Sequence, residues 1–378
     1  DLVAGFRAKV DARGTPDDVI YKRSPHLLQT IRRGLSWKKD NAGKKLSAFG
    51  LKKFSGVEDN LIDGDKDAEL EFDLDGVTRI LPTYKANGEN GQFGFLTLSD
   101  GSVTLYAGSK NLKVYIPWSE LGNFRDHLPA SQHYSFANEI ATHLCNMLLN
   151  MESKESLVNF VLATGCTIVF EYESVSHQHI VLLEENRIVL IGLTSPFFTV
   201  PISHPILTYL FGRMYGFKTV IQSLEFRKPT DFRQIVREVA QEYQSEGSVP
   251  LCFTADGACR QMKLKSAWYI MLRAIREISC RLMVQGTKAP SEINAAVEKR
   301  LNSLKHSKDF LPLKDKAIDL WKDSILIPFC HWLCYENRMD VELARNQFPV
   351  HYSNFLTQKG KDDTVKDLYS LVDEQLAV

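Results

Sequence analysis

Between residues 70 and 106 the chain alternates with a period of two. Leu70, Phe72 and Leu74 lead to Asp75-Gly76, a dipeptide that favours tight hairpin turns, and residues 77–82 return as a second strand. Phe93, Phe95 and Leu96 precede Asp100-Gly101, with Val103, Leu105 and Tyr106 after it, so a second hairpin is predicted. Upstream, residues 32–37 and 47–54 read as short extended pieces and residues 24–30 as a short helix.

Helical spacing then takes over. Ile140, Leu144, Leu148 and Leu149 predict one helical stretch over residues 134–161, followed by three strands at 166–172, 179–183 and 187–193. Residues 205–215 and 232–243 are helical by pattern, the second with Asp231 as N-cap and Ile235, Val236 and Val239 inward. Glu246-Gly247 opens another strand pair, which turns at Ala255-Asp256-Gly257 and closes with residues 261–265. Beyond Ser266 the period switches to 3.6, with helices predicted at 266 onward, 290–304, 314–334, 341–348 and 365–376. The fold class is therefore α+β: an antiparallel-sheet domain over residues 1–265 and an all-helical domain over 266–378.

Composition narrows the picture little. A chain of 378 residues is long enough for two cores, and 44% hydrophobic with 24% charged residues is ordinary for a globular protein. Lys plus Arg and Asp plus Glu both number 46, so a polyanion site must come from local clustering. The seven cysteines are odd in number and dispersed, which reads as reduced thiols in an intracellular compartment, cytoplasm or nucleus. Cys330, His331 and Cys334 form one half of a zinc site in a segment that reads as a buried helix. Asp63-x-Asp65-x-Asp67 opens like a calcium loop, but Ala68 and Leu74 stand where that loop needs glycine and glutamate, leaving a solvated acidic run. The longest apolar runs are too short to span a bilayer, so no membrane partner is expected.

The candidate chemistry lies at Thr83-Tyr84-Lys85-Ala86-Asn87-Gly88. A lysine in a polar loop just off a strand can aim its amine into a pocket, and Gly88 lets backbone approach a phosphate closely. Gly88, Gly91 and Gly94 are spaced by three with no helix after them, which excludes the dinucleotide fingerprint. Lys-x-x-Gly alone recurs by chance, but three later strings accompany it: Phe170-Glu171-Tyr172, Ser245-Glu246-Gly247 and Lys263-Leu264-Lys265. Their order resembles motifs I, III, IV and V of the covalent nucleotidyltransferase superfamily of ligases and capping enzymes. Residues 263–269 are similar to the corresponding string of phage RNA ligase 1. Residues 269–277, with Tyr215-Gly216-Phe217 and His179-Ile180-Val181, resemble the ligase domain of fungal tRNA ligase. Arg33-Gly34, Lys52-Lys53-Phe54 and Ser109-Lys110 resemble further pieces of these ligases, and the likeness spans about residues 30 to 280.

The resemblance implies an ATP-dependent RNA ligase. Lys85 would attack the α-phosphorus of ATP, and Lys263 and Lys265, on one face of a strand, would gather positive charge there. Glu246 would hold Mg²⁺, for which Mn²⁺ could substitute, and Glu171 would take the ribose hydroxyls. Arg33, Lys53 and Lys110 would meet the outer phosphates or the RNA phosphate, with Phe54 or Tyr84 near the base. AMP would pass to an RNA 5′-phosphate before a 3′-hydroxyl seals the strand, with broken tRNA halves as the expected partner. Kinase and phosphodiesterase activities that heal the ends would lie on other chains or domains, because no G-x-x-x-x-G-K-[ST] loop occurs here. The family's arginine four residues before the lysine of the Lys-Phe pair is Phe49 here, and its job would fall to Lys52 or Lys45. A binding module that kept the fold but lost turnover is the alternative in another class. DNA ligases and capping enzymes differ by a small β-barrel after motif V, where this chain enters helices. Basic residues from Arg273 and Arg276 to Lys314 and Lys316 fit either an RNA footprint or the solvated face of a bundle.

Overall fold

The central strand of the largest sheet, residues 89–97, is buried along most of its length, with Gly91, Phe93 and Phe95 on one face and Gln92, Gly94 and Leu96 on the other. The structure, a computed structural model, describes residues 2–5, 32–40, 43–51, 74–197, 202–284, 289–305, 315–337 and 341–361. In chain order the strands are β1 (Leu2–Gly5), β2 (Ser36–Asp40), β3 (Gly43–Ala48), β4 (Val77–Leu81), β5 (Glu89–Thr97), β6 (Val103–Ser109), β7 (Lys113–Pro117), β8 (Thr167–Glu173), β9 (Arg187–Thr194), β10 (Lys218–Thr219), β11 (Gly247–Ser248), β12 (Leu251–Thr254), β13 (Cys259–Gln261) and β14 (Leu264–Lys265). The α-helices are α1 (Ser135–Leu149), α2 (Lys154–Thr164), α3 (Pro205–Tyr215), α4 (Phe232–Ala240), α5 (Ala267–Val284), α6 (Pro290–Lys305), α7 (Asp315–Trp321), α8 (Ile327–His331), α9 (Val341–Asn346) and α10 (Phe348–Lys359).

Two compact units are distinguished: residues 1–53, 89–172 and 186–224 form the first, and residues 54–88, 173–185 and 225–378 the second. In the first, a six-stranded sheet runs β10-β9-β8-β5-β6-β7, with β5 antiparallel to both β6 and β8. The β5–β6 hairpin turns at Asp100-Gly101 as the pattern predicts. Phe93 and Phe95 of β5 enter one core with Ile140, Leu144 and Leu148 of α1, Val158 of α2 and Phe211 of α3. Gly94 points the other way, where a Cβ would lie 2.4 Å from the Tyr106 hydroxyl; the side-chain space is already filled. That packing, not phosphate binding, accounts for glycine at this position.

In the second unit, β13-β12-β4 form one sheet and β11–β14 a short antiparallel pair. Ile235, Val236 and Val239 of α4 bury against Val77, Ile80 and Leu264, the inward face the periodicity predicts. The helices from α5 onward pack around Met271, Ile275, Phe329 and Phe355. Two π-helical segments, Lys322–Leu326 and Trp332–Glu336, interrupt the stretch predicted as one regular helix. The seven cysteines are free, and burial pushes the Cys145 and Cys330 thiols up to about 12. Among the described residues no helix is long and apolar enough to cross a membrane.

Several expectations change. The helix over 134–161 is two, because the Asn150 amide bonds back to the Asn146 carbonyl at 2.8 Å and ends α1. Residues 179–183 are not a strand; the Asn87 and Gln178 side chains take the amides of Ile180, Val181 and Leu183. Asp231 caps nothing in α4, since its carboxylate accepts from Lys228 N at 3.1 Å, closing the 3-10 turn before it. The helix predicted over 341–348 ends at Asn346, and α10 follows it unanticipated. The helices predicted at 24–30 and 365–376, and the strand around Leu70 and Phe72, lie outside the described residues.

Leu144 is fully buried in α1. Leu144→Ala is expected to cost about 2 to 5 kcal/mol, read by denaturant unfolding; a loss well under 1 kcal/mol would contradict the packing described.

Candidate active site

The loop that carries Lys85 is sewn to β11 by backbone pairing. Beyond β4, Val249 N donates to the Thr83 carbonyl at 3.0 Å and Thr83 Oγ1 to the Val249 carbonyl at 2.7 Å. Tyr84 bridges Ser248, and Lys85 N donates to the Gly247 carbonyl at 2.9 Å. On its other side β11 pairs β14, with Gly247 opposite Lys265 and Ser248 opposite Leu264. Lys85 and Lys265 therefore flank Gly247, two strand spacings or roughly 10 Å apart along the backbone. Gly247 has φ +125°, and a Cβ there would lie 2.2 Å from the Leu264 carbonyl oxygen, so the register needs glycine.

At the head of β11, Glu246 meets the amine. Lys85 Nζ lies 2.7 Å from Glu246 Oε1, with the two side chains 19% and 8% exposed. The lysine is thus largely covered but still reaches solvent, and its partner is enclosed. Asn87 Nδ2 donates to Glu246 Oε2 at 2.5 Å, so each carboxylate oxygen is engaged by a different residue of one loop. Asn87 Oδ1 accepts from Ile180 N at 3.1 Å and Val181 N at 2.9 Å, which is why residues 179–183 form no ladder. The Asn87 backbone N–H donates to Glu173 Oε1 at 2.9 Å, and the Tyr84 hydroxyl reaches the same oxygen at 3.4 Å. Alternation predicts Glu173 on the outer face of a half-buried strand; instead it is fully buried beneath the lysine loop.

The face predicted for Lys263 and Lys265 is present. Both are half-buried, and Met262 and Leu264, which alternate with them, enter the core beneath. Ser266 then ties this strand to α5: its N–H donates to the Glu246 carbonyl at 3.1 Å, its hydroxyl donates to the Ser245 carbonyl at 2.6 Å and accepts from Tyr269 N at 3.1 Å. The Tyr269 phenol is pushed far above its usual range, first by burial and then by the Glu246 carboxylate, with which it is also hydrogen-bonded. Periodicity places Tyr269 and Ser266 in a helix start but gives no sign that they hold Glu246.

Among the described residues no group of three or more His, Cys, Asp or Glu is gathered to hold a metal ion unaided. Magnesium does not need one, since it is commonly bound through one or two carboxylates plus substrate phosphates. Glu246, a hard donor whose two oxygens keep lone pairs beside the bonds from Lys85 and Asn87, fits that role through the ion's waters.

Arg33, Lys110 and Glu171 belong to the first unit, whereas Tyr84, Lys85, Gly88, Glu246, Lys263 and Lys265 belong to the second. Within the first unit, Glu171 pairs with Asn90 across β8–β5, and Lys110 N donates to the Asn90 carbonyl at 3.0 Å, so both stand at the start of β5. The Arg33 carbonyl accepts from Gln92 Nε2 at 2.9 Å, and Lys113 Nζ donates to the neighbouring Gly34 carbonyl at 2.9 Å. Burial pushes the Lys113 amine down to about 8. Lys52, Lys53 and Phe54 lie outside the described residues. At Phe49 the structure supplies a guanidinium that the motif does not announce: Arg32 lies over that ring, 4.2 Å from its centroid.

Gly247→Ala should destabilise by about 1 to 3 kcal/mol more than Gly257→Ala in denaturant unfolding, because Gly257 (φ +82°) has open space at its Cβ position and incurs the backbone term alone. Equal losses would contradict the close β11–β14 approach. Lys113 has a folded-state pKa of about 8 against an ordinary 10.5, so its buried charge is a full penalty below pH 8 and is relieved as pH rises toward 10.5. Relative to Lys113→Met, the wild type should gain stability across that window in denaturation at a series of pH values; parallel curves would place the amine in water.

No family model matches the sequence, and no curated relative does. Among solved structures, form 2 of an archaeal ATP-dependent RNA ligase aligns with a TM-score of 0.43 and 11% identity over 88% of this chain and 79% of its own. Form 1 of an archaeal ATP-dependent RNA ligase aligns with a TM-score of 0.40 and 10% identity, covering 82% and 86%. A candidate ATP-dependent DNA ligase from Aquifex aeolicus aligns with a TM-score of 0.41 and 12% identity, covering 89% and 72%.

Proposed function

We propose that the chain is an ATP-dependent RNA ligase that works through a lysyl-adenylate at Lys85. The observation that carries this reading is the Lys85 amine, held on a loop paired to β11, 2.7 Å from the enclosed Glu246 carboxylate and across Gly247 from Lys265. Lys85 Nζ gives up its ammonium proton to solvent, which the side chain still reaches, and attacks the α-phosphorus of ATP: the N–P bond forms, the bond to pyrophosphate breaks, and a second proton leaves the nitrogen. Lys263 and Lys265, sharing a face, gather positive charge for the triphosphate. Glu246 would hold Mg²⁺, probed equally well with Mn²⁺, and the ion would neutralise charge on the phosphates. Glu171, Arg33 and Lys110 are assigned to the ribose and the outer phosphates.

The choice of RNA rests on the helical region beyond β14. The chain enters α5 directly, and there Arg276 Nε is buried without a hydrogen-bond partner among the described residues. Burial holds the Arg276 guanidinium below its usual range, and Arg345 and Arg273 act on it in the same direction. Arg273 is shared with Glu277 at 3.4 Å, so the assignment to RNA rests on the direct passage from β14 into basic helices, where DNA ligases and capping enzymes have a small barrel, rather than on an unbalanced charge cluster. Ends bearing a 5′-phosphate and a 3′-hydroxyl, such as healed tRNA halves, are the substrate assigned, with the end-healing activities supplied elsewhere.

Incubation with α-labelled ATP and Mg²⁺ should fix label to the wild-type protein and leave Lys85→Ala unlabelled. The wild type should then seal a nicked RNA stem-loop in preference to a nicked DNA duplex. Absence of label on the wild type, or label persisting on Lys85→Ala, would overturn the assignment.

A further inference from the structure

Lys85 is placed by a segment far from it in sequence. Residues 173–183 approach the lysine loop from beneath, all within the second unit. Glu173 Oε1 accepts from the Asn87 backbone and the Tyr84 hydroxyl, on either side of Lys85 in sequence. Ile180 N and Val181 N both donate to Asn87 Oδ1, which turns the other end of that amide toward Glu246. The loop is folded on itself by Gln178, which is buried and whose Oε1 accepts from Leu183 N at 2.7 Å. Among the described residues no strand ladder runs through 174–183, whose shape rests on internal bonds such as Gln178 Nε2 to the Val175 carbonyl together with contacts from outside.

What holds them is the helical region. The Ile180 and Val181 side chains belong to the same hydrophobic cluster as Trp268, Leu272 and Phe329. Gln178 N donates to the Asn346 carbonyl at 2.8 Å, at the end of α9. Gln347 Nε2, in the turn before α10, donates to the Val175 carbonyl at 2.9 Å. A continuous series of contacts thus runs from the α9–α10 turn through residues 175–181 to Asn87, Glu246 and the amine.

We propose that Glu173 and Gln347 are positioning residues for Lys85, and that the C-terminal helices are part of the apparatus that aims the nucleophile. This inference rests on the ligase reading. Its distinguishing feature is step-specificity: the attacking amine is needed to form lysyl-adenylate, whereas sealing RNA that already carries AMP on its 5′-phosphate needs no attack by Lys85.

The test compares full-length wild type, Glu173→Ala, Glu173→Gln and Gln347→Ala in two reactions, lysyl-adenylate formation at saturating ATP and sealing of chemically pre-adenylylated RNA. Misplacement of a nucleophile by about 1 Å costs on the order of a hundredfold. Glu173→Ala is expected to slow adduct formation by about that factor and Gln347→Ala by about tenfold, with sealing of pre-adenylylated RNA kept within about twofold. Glu173→Gln retains an acceptor oxygen and should recover most of the rate. Unchanged adduct formation in Gln347→Ala, or a parallel fall in both reactions for that half-exposed residue, overturns the inference while leaving the ligase reading intact. A wild type that forms no adduct overturns the ligase reading, and this inference with it.

Discussion

The local architecture depends on where one side-chain amide sends its hydrogen bonds. Asn87 gives Nδ2–H to Glu246, receives Ile180 N–H and Val181 N–H on Oδ1, and donates its own backbone N–H to Glu173. Three segments separated by many residues of chain are brought together at this point, and closing such loops has an entropic cost that only well-formed buried contacts offset. Glu173 and Glu246 are both enclosed, so each would be strongly unfavourable without these donors. Asn87 supplies a donor to both, one from its side chain and one from its backbone.

A second constraint acts through the backbone. Gly247 lets β14 approach β11 closely, and that pair in turn sets the distance between Lys85 and Lys265. Ser266 fastens the start of α5 to the same ladder through the carbonyls of Ser245 and Glu246. The site is therefore strand-built on one side and braced by a helix start on the other, an arrangement that holds an amine more firmly than a free loop would.

Much of this is legible in the sequence because the responsible signals are local. The β5–β6 hairpin follows from alternating Phe93, Phe95 and Leu105 around Asp100-Gly101, and α5 from Trp268, Met271, Leu272 and Ile275. The shared face of Lys263 and Lys265 follows from the pleat alone. The departures have a common physical origin, namely side chains that compete with the backbone's own partners. Asn150 ends a helix that periodicity extends, and Asn87 takes amides that a strand at 179–183 would use. Glu173 carries the pattern of a surface residue because charge is ordinarily outside, yet its donors come from a loop about ninety positions away, which no window of sequence contains. Asn87 lies inside the lysine motif itself, where the Lys-x-x-Gly pattern assigns it no role beyond spacing.

One amine, braced by Glu246 and Asn87, is thus expected to become bonded to adenylate. Peptide mapping by mass spectrometry after incubation with ATP and Mg²⁺ tests it most directly. A single adenylate increment is expected on the peptide containing Lys85, lost on treatment with acid as a phosphoramidate should be; an increment on any other residue, or none on a folded protein, would rule out Lys85 as the nucleophile.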